Sequence, residues 1–295
     1  MKNIGKILAV LLVLVVIVGL MPVVAGCGSG VAPLAAKVRL KVGTTTSLYD
    51  TGLWSYLEPK FEEMYGVEVD ILSLGSGAAF EYAKRGDIDV LTIHDKPKEL
   101  LFIADGYGIE RFPFAYNYFL IIGPENDPAG IKGMSPEEAF QTLMENGTCN
   151  FVSRGDNSGT HSKEKAIWAL AGYDYATQVV GVGDWYIEAG ASMGATLNMA
   201  NEKGAYTLTD MGTYVAYKSQ LNLVPIVDEG SILLNVYSVI VVNPDKVTTL
   251  KNFDLAQKMV EFLTSPEIQE LIGKYGVEEY GIQLFIPCAG AEPTA

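Results

Sequence analysis

A two-lobed α/β fold is predicted for this chain of 295 residues, and three observations predict it. Short apolar strands alternate with amphipathic helical stretches, the pattern of a mostly parallel sheet with helices on both faces. A long apolar run at 114–123 ends in Gly123-Pro124 and reads as a crossing from one lobe into another. Three loops rich in hydroxyls and glycine follow strands, where open α/β sheets collect ligands.

Residues 38–42 read as a buried strand, and Asp50 or Thr51 can cap a helix running to about Tyr65. A second strand spans 67–72, Gly75-Ser76-Gly77 leads into a short helix ending near Arg85, and 88–93 is a third strand. Beyond the crossing, Asn126-Asp127-Pro128 starts a turn. Ser135-Pro136-Glu137-Glu138 then combines Ser-x-x-Glu spacing with proline in the first turn, a helix start signal. A strand ends at 151–152, a helix occupies 158–170, and 205–208 is another strand. The chain returns through 236–242 and finishes with helices at 253–264 and 266–275. Lobe 1 is therefore expected over 38–122 and 225–295, and lobe 2 over 123–224.

The N-terminus has the layout of a secretion signal rather than a membrane anchor. Lys2 and Lys6 precede an apolar run at 7–20, and Val24-Ala25-Gly26-Cys27 follows. That tetrad resembles the lipobox of exported lipoproteins, which implies a signal peptide over 1–26, lipid attachment at Cys27 and a flexible tether over 27–37. The alternative is an ordinary signal peptide with an incidental cysteine. The protein is thus expected on the outer face of the cytoplasmic membrane.

Removing 1–26 takes 21 basic side chains to 19 against 35 acidic ones, a formal charge of −16. Nucleic acid and anionic membrane faces are poor partners for such a surface. A small anion is not excluded, because exposed charges are screened within ~8 Å, whereas a dry pocket answers to the donors in contact. Beyond Cys27 only Cys149 and Cys288 remain, and sequence leaves open whether they form a disulfide. No metal site or cofactor is expected: there is no Cys-x-x-Cys, and His94 and His161 are the only histidines.

Two donor-rich strings carry the functional reading. Gly43-Thr44-Thr45-Thr46-Ser47 ends the first strand, and Ser153-Arg154-Gly155-Asp156-Asn157-Ser158-Gly159-Thr160-His161 opens a helix. The second offers one fixed cation, Arg154, with hydroxyls and free amides at a helix N-terminus, where peptide dipoles favour negative charge. A tetrahedral dianion is best held by many donors and little opposing charge, and Ser, Thr, glycine amides and one arginine meet that need. With Gly75-Ser76-Gly77, two donor loops fall in lobe 1 and one in lobe 2, so the ligand is expected in the cleft between them.

The chain beyond the tether resembles the TupA family, the tungstate-binding components of ABC importers. The resembling residues include Thr44-Thr45-Thr46-Ser47, Asp89-Val90-Leu91 with His94-Asp95, and Asn117 before Gly123-Pro124. They continue in order through Asp127-Pro128-Ala129-Gly130, Ser153-Arg154-Gly155-Asp156 with Ser158-Gly159-Thr160, Met193-Gly194-Ala195-Thr196-Leu197 and Ala205-Tyr206-Thr207-Leu208-Thr209-Asp210. The resemblance implies a type II periplasmic-binding-protein fold with a two-strand hinge, capture of tungstate and delivery to a membrane permease, in a monomer without enzymatic activity. Carried over by position, Thr45, Thr46 and Ser47 donate from lobe 1, and Arg154, Ser158, Gly159 and Thr160 from lobe 2. Ser76 matches a glycine-flanked hydroxyl of related phosphate-binding proteins. Met211 stands where relatives often have a basic residue, which leaves Arg154 as the principal cation.

Other readings remain open to sequence. Tungstate, molybdate and sulfate are fully deprotonated near neutral pH and suit donors alone, whereas monohydrogen phosphate gains from an acceptor carboxylate. Asp95 and Asp156 are the candidates for that acceptor; the structural alternative pairs Asp156 with Arg154 or a nearby amide and has Asp95 cap the turn before Pro97. Gly190-Ala191-Ser192-Met193-Gly194 fits a hydrolase nucleophile elbow, but both histidines precede Ser192, against that fold's chain order. An exported phosphatase or esterase is the rival class, and a sensor that passes the bound state to a receptor is a third.

Overall fold

The computed structural model of the chain describes residues 37–293. The expected signal peptide, Cys27 and all but the last residue of the tether lie outside the described residues.

The strand β1 (Arg39–Thr45) is buried from Val42 onward and runs directly into α1 (Thr46–Asp50), with Thr45 as its cap. The helix expected after Asp50 or Thr51 is present as α2 (Leu53–Tyr65), while the short α1 before it was not expected; α2 starts after Gly52, whose φ of +79° is a left-handed turn that glycine makes without a Cβ clash. β2 (Glu68–Leu74), α3 (Ser76–Arg85) and β3 (Val90–Ile93) follow as expected in kind. An additional helix, α4 (Lys96–Ala104), begins at Lys96-Pro97 and precedes β4 (Gly108–Pro124), which extends the expected crossing run toward the N-terminus.

Beyond it, α5 (Pro136–Asn146) opens with the predicted capping box, Ser135 accepting from the Glu138 amide and Glu138 from the Ser135 amide. Then come β5 (Phe151–Ser153), α6 (Gly159–Leu170), β6 (Tyr186–Glu188), α7 (Met193–Lys203), β7 (Tyr206–Asp210), α8 (Met211–Tyr217) and β8 (Leu223–Val227). The chain closes with β9 (Leu234–Val242), α9 (Phe253–Thr264), α10 (Pro266–Lys274), α11 (Val277–Tyr280) and β10 (Ile286–Pro287).

Strand order is β2-β1-β3-β9-β4-β7-β5-β6, with β8 and β10 also on β4. The sheet is mixed rather than mostly parallel, which corrects the sequence reading. β1 is parallel to β2 and β3, and β5 to β6 and β7, but β9 is antiparallel to β3 and β4, and β4 is antiparallel to β7, β8 and β10. An apolar run specifies burial on both faces but not direction, so the central antiparallel pair has no signature in the pattern. β8, which spans the expected boundary at 224–225, pairs with β4 beside β7.

Because β4 runs through both halves of the sheet, it feeds two cores. Phe114 packs with Trp54, Phe61, Tyr237 and Phe262, whereas Phe119 packs with Phe140, Phe151, Trp168 and Tyr206. The loops between those cores hold the donor-rich strings. Among the described residues no helix is long and apolar enough to cross a membrane.

Candidate functional site

The first donor loop is built by β1 passing into α1. Thr45 Oγ1 accepts the Leu48 amide at 3.3 Å and lies 3.3 Å from Ser47 Oγ. Ser47 is buried, with Oγ 2.8 Å from His94 Nε2. Thr46 Oγ1 lies 3.5 Å from Arg154 Nη2, the first tie between the two halves of the sheet. A second is Thr213 Oγ1, which donates to Asp210 Oδ2 at 2.7 Å and lies 3.3 Å from the Ser47 carbonyl.

The second loop ends at Ser76, the first residue of α3, and its side chain is fully buried (0% exposed). Ser76 Oγ has no hydrogen-bond partner. The third loop, between β5 and α6, supplies its counterpart: Thr160, in the first turn of α6, is 1% exposed with Oγ1 also unpartnered. A buried hydroxyl without a partner is destabilising by roughly 1–3 kcal/mol, so two of them beside helix N-termini mark places where a ligand atom belongs. Ser158 caps α6 by accepting the His161 amide at 3.3 Å, and its proton too is free.

Arg154 is 2% exposed, an uncommon burial for a guanidinium. Nε donates to the Ala191 carbonyl at 2.8 Å, and Nη2 is shared between Asp156 and Thr46. Among the described residues Nη1 makes no hydrogen bond. Asp156 is consumed by the Arg154 ion pair and by the Ser158 amide, 3.1 Å away, as the structural alternative expected. Asp95 departs from the expected turn cap: Oδ2 accepts from Lys98 Nζ at 2.7 Å and Ser162 Oγ at 2.8 Å, while Oδ1 is buried without a partner. Asp210 caps α8 through Thr213, and Met211 simply starts that helix, so no second cation enters from this loop.

The loop from Ser153 to Asn157 rests on a buried polar base. Ser153 Oγ donates to Glu164 at 2.6 Å, where Trp168 and Tyr186 also donate, and burial pushes the Glu164 carboxyl up to about 7. The Asn157 amide donates to His161 Nδ1 at 3.0 Å. Gly159 sits so close to His94 that an added Cβ would lie 2.9 Å from the His94 carbonyl, which is why the tight approach of α6 requires glycine.

All eight sequence-derived residues, Thr45, Thr46, Ser47, Ser76, Arg154, Ser158, Gly159 and Thr160, thus fall on three loops that meet between the two cores. Two participants were missed: Lys98, whose Nζ also reaches the Asn157 carbonyl at 2.8 Å, and Asn235, which bonds His94 from β9. Neither stands in a string with a spacing signal. A cavity of about 610 Å³ borders this region, lined by His94, Asp95 and Gly159 and, further out, by Leu100, Ile232, Leu234 and Val236. Its walls are mainly apolar, so the converging donors rather than this void locate an anion site. Cys149 and Cys288 are free thiols, and among the described residues no cluster of His, Cys, Asp or Glu could hold a metal ion.

Comparison with known proteins places the chain in a family. Residues 30–267 match the PBP superfamily domain. The chain is 42% identical over 256 residues to the tungstate-binding protein TupA of Peptoclostridium acidaminophilum, covering 86% of this chain and 87% of the relative. The structure of a tungstate ABC transporter protein from Geobacter sulfurreducens is similar at 44% identity and a TM-score of 0.71, over 80% of this chain and 98% of that one. The tungstate-binding protein TupA from Desulfovibrio alaskensis G20 also has a TM-score of 0.71, at 39% identity, over 85% of this chain and 99% of its own.

Proposed function

The chain belongs to the PBP superfamily and, within it, to the TupA family of tungstate-binding proteins, and from that premise we propose that it captures tungstate outside the cytoplasmic membrane and delivers it to the permease of an ABC importer. The observation that carries this reading is the pair of buried, unpartnered hydroxyls, Ser76 Oγ and Thr160 Oγ1, at the starts of α3 and α6. Thr45, Thr46, Ser158 and the Gly159 amide complete the donor set. Both Asp156 oxygens are engaged, which leaves Asp95 Oδ1 as the one free acceptor of the two candidate carboxylates; the many donors around it favour an anion that carries no proton.

In this proposal the lobes are 38–122 with 225–295, and 123–224. The anion binds one lobe first, β4 and β9 bend near Tyr118 and its ladder partner Leu234 rather than at the expected Val239, which lies in the first core, and the other lobe adds its donors. Closure strengthens binding only by those added contacts. Lipid attachment at Cys27 would keep the protein beside its permease, and the monomer is the proposed working unit. No catalytic role is assigned: His94 bonds Ser47 and Asn235, His161 bonds Asn157 and Tyr175, and neither bonds Ser192.

Calorimetric titration of ligand-stripped protein with tungstate, molybdate, sulfate and phosphate in one buffer tests the proposal. Tight tungstate binding with phosphate silent is expected. Tight phosphate binding with tungstate silent would overturn it and would mean that an aspartate faces the ligand.

A further inference from the structure

We infer that His94 is a positioning residue of the anion site, which takes the hydroxyl proton of Ser47 onto Nε2 and so holds Ser47 as a tether of the first donor loop rather than as a donor to the anion. The inference rests on the oxyanion reading above, and its argument is one of hydrogen-bond direction.

The chain starts from a group that can only accept. The Leu284 carbonyl faces Asn117, which must therefore turn its Nδ2 toward it, at 3.4 Å. Asn117 Oδ1 then faces Asn235, which presents its Nδ2 at 2.8 Å. That leaves Asn235 Oδ1 directed at His94 Nδ1, 2.8 Å away, so Nδ1 carries the proton. A neutral ring with Nδ1 protonated has a bare Nε2, and the group 2.8 Å from it is the Ser47 hydroxyl, which donates. A second anchor agrees: Asn235 Nδ2 also lies 2.9 Å from the Tyr237 oxygen, an arrangement the reversed amide would meet less well because Oδ1 would then face Asn117 Oδ1.

The ring is neutral under ordinary conditions. Burial lowers its pKa to about 4; the Asn235 bond and Asp95 oppose that shift, and Arg154 and Lys163 reinforce it. The other loop hydroxyls differ from Ser47 in kind. Ser158 accepts a backbone amide and keeps its proton, Thr45 accepts a backbone amide and lies 3.3 Å from Ser47 Oγ, to which it donates once Ser47 has turned its proton to His94, and Ser76 and Thr160 have no partner at all. His94 also joins three parts of the site: Ser47 in the first donor loop, Asn235 on the crossing strand β9, and Gly159 at the start of α6, which packs on its ring. A polar chain thereby links the donor loop to both crossing strands, since Asn117 lies on β4 and Asn235 on β9.

The molecule contains its own control. His161 Nδ1 receives the Asn157 backbone amide, which can only donate, so His161 is protonated at Nε2, toward Tyr175. The two histidines are therefore opposite tautomers. Long-range proton–nitrogen correlation spectra of protein labelled with ¹⁵N at histidine, assigned with His161→Gln, should show His94 protonated at Nδ1 and His161 at Nε2. In titrations, Ser47→Ala should keep tungstate affinity within about 3-fold of the parent, whereas Thr160→Ala loses about 10-fold. A proton on His94 Nε2, or a loss in Ser47→Ala equal to that in Thr160→Ala, would overturn the inference. The spectra decide it even if the parent protein ignores tungstate, an outcome that would count against the oxyanion reading alone.

Discussion

The two sides of the site solve the same problem with different chemistry. The side proposed as lobe 1 brings uncharged hydroxyls from Thr45 to Ser47 and Ser76, held by a neutral chain through His94, Asn235 and Asn117, and its charged groups, Lys98 and Asp95, pair with each other. The lobe 2 side, Ser153 to Thr160, brings a buried guanidinium with a carboxylate beside it, held over the Glu164 and His161 networks. A neutral surface selects by the number and direction of its donors. A charged one adds long-range attraction, tempered here because Asp156 shares Arg154. The comparison teaches that the anion's charge is met mainly from one side, whereas its shape is met from both.

Each side contains one buried histidine, and acidification tests both supports with the largest expected effect. His94 and His161 are each lowered to about 4, first of all by burial, from an ordinary 6.5. A depressed folded-state pKa gives stability that is whole above pH 6.5 and lost as pH falls toward 4, because the unfolded chain takes up protons that the fold refuses. For His94 the loss is on the order of 3 kcal/mol across that window. Glu164, raised to about 7, acts in the opposite sense between about 7 and its ordinary 4.5, so the clean readout is a difference. Urea unfolding at pH 7.5 and 4.5 should show a smaller acid loss in His94→Gln than in the parent; an identical loss would mean that His94 is not held neutral.

Arg154→Ala comes next and tests whether charge resides on one side. Losing a hydrogen bond from a charged donor should weaken tungstate binding by about 1.5–3 kcal/mol. Arg154→Lys should recover only part, because an ammonium cannot reach Ala191, Asp156 and Thr46 in the geometry of the planar fork. Unchanged affinity in Arg154→Ala would remove it from the site. Ser76→Ala and Thr160→Ala then compare the shape-reading hydroxyls across the cleft. Each should lose about 10-fold in affinity, or about 1.4 kcal/mol of binding, and each apo variant should be at least as stable as the parent, because the change deletes a buried unpartnered oxygen. Calorimetry and thermal melts measure both halves of that expectation.

The sequence disclosed the parts of the site that are local. The helix opening at the second donor string, the Ser135 to Glu138 capping box and the Thr45 to Ser47 string each follow from neighbours within a few residues, where backbone geometry and side chain are coupled. It did not disclose what arises from pairing distant segments. The His94 to Asn235 bond joins positions 141 apart, and an asparagine in an apolar strand has no periodicity to betray its partner. The antiparallel run of β9 between β3 and β4 was equally silent. The break between α1 and α2 was legible in principle, because Gly52 follows the candidate caps Asp50 and Thr51.

Lys98 gives the smallest effect and the sharpest kinetic one. It is anchored in lobe 1 on α4, and Nζ donates to Asp95 of the same side and to Asn157 and Ser162 of the other, at 2.7, 2.8 and 2.9 Å. Its side chain is 32% exposed, so the ties are screened and worth less than about 1 kcal/mol in net affinity. They exist only while the two sides are together, however, and do not meet an anion that approaches the open cleft. Lys98→Met should therefore release tungstate about 3-fold faster while capturing it at an almost unchanged rate. Stopped-flow fluorescence can follow both steps. Slower capture with unchanged release would place Lys98 on the route of entry instead, and the cross-cleft bond to the Asn157 carbonyl would then hold the loop in position without holding the cleft closed.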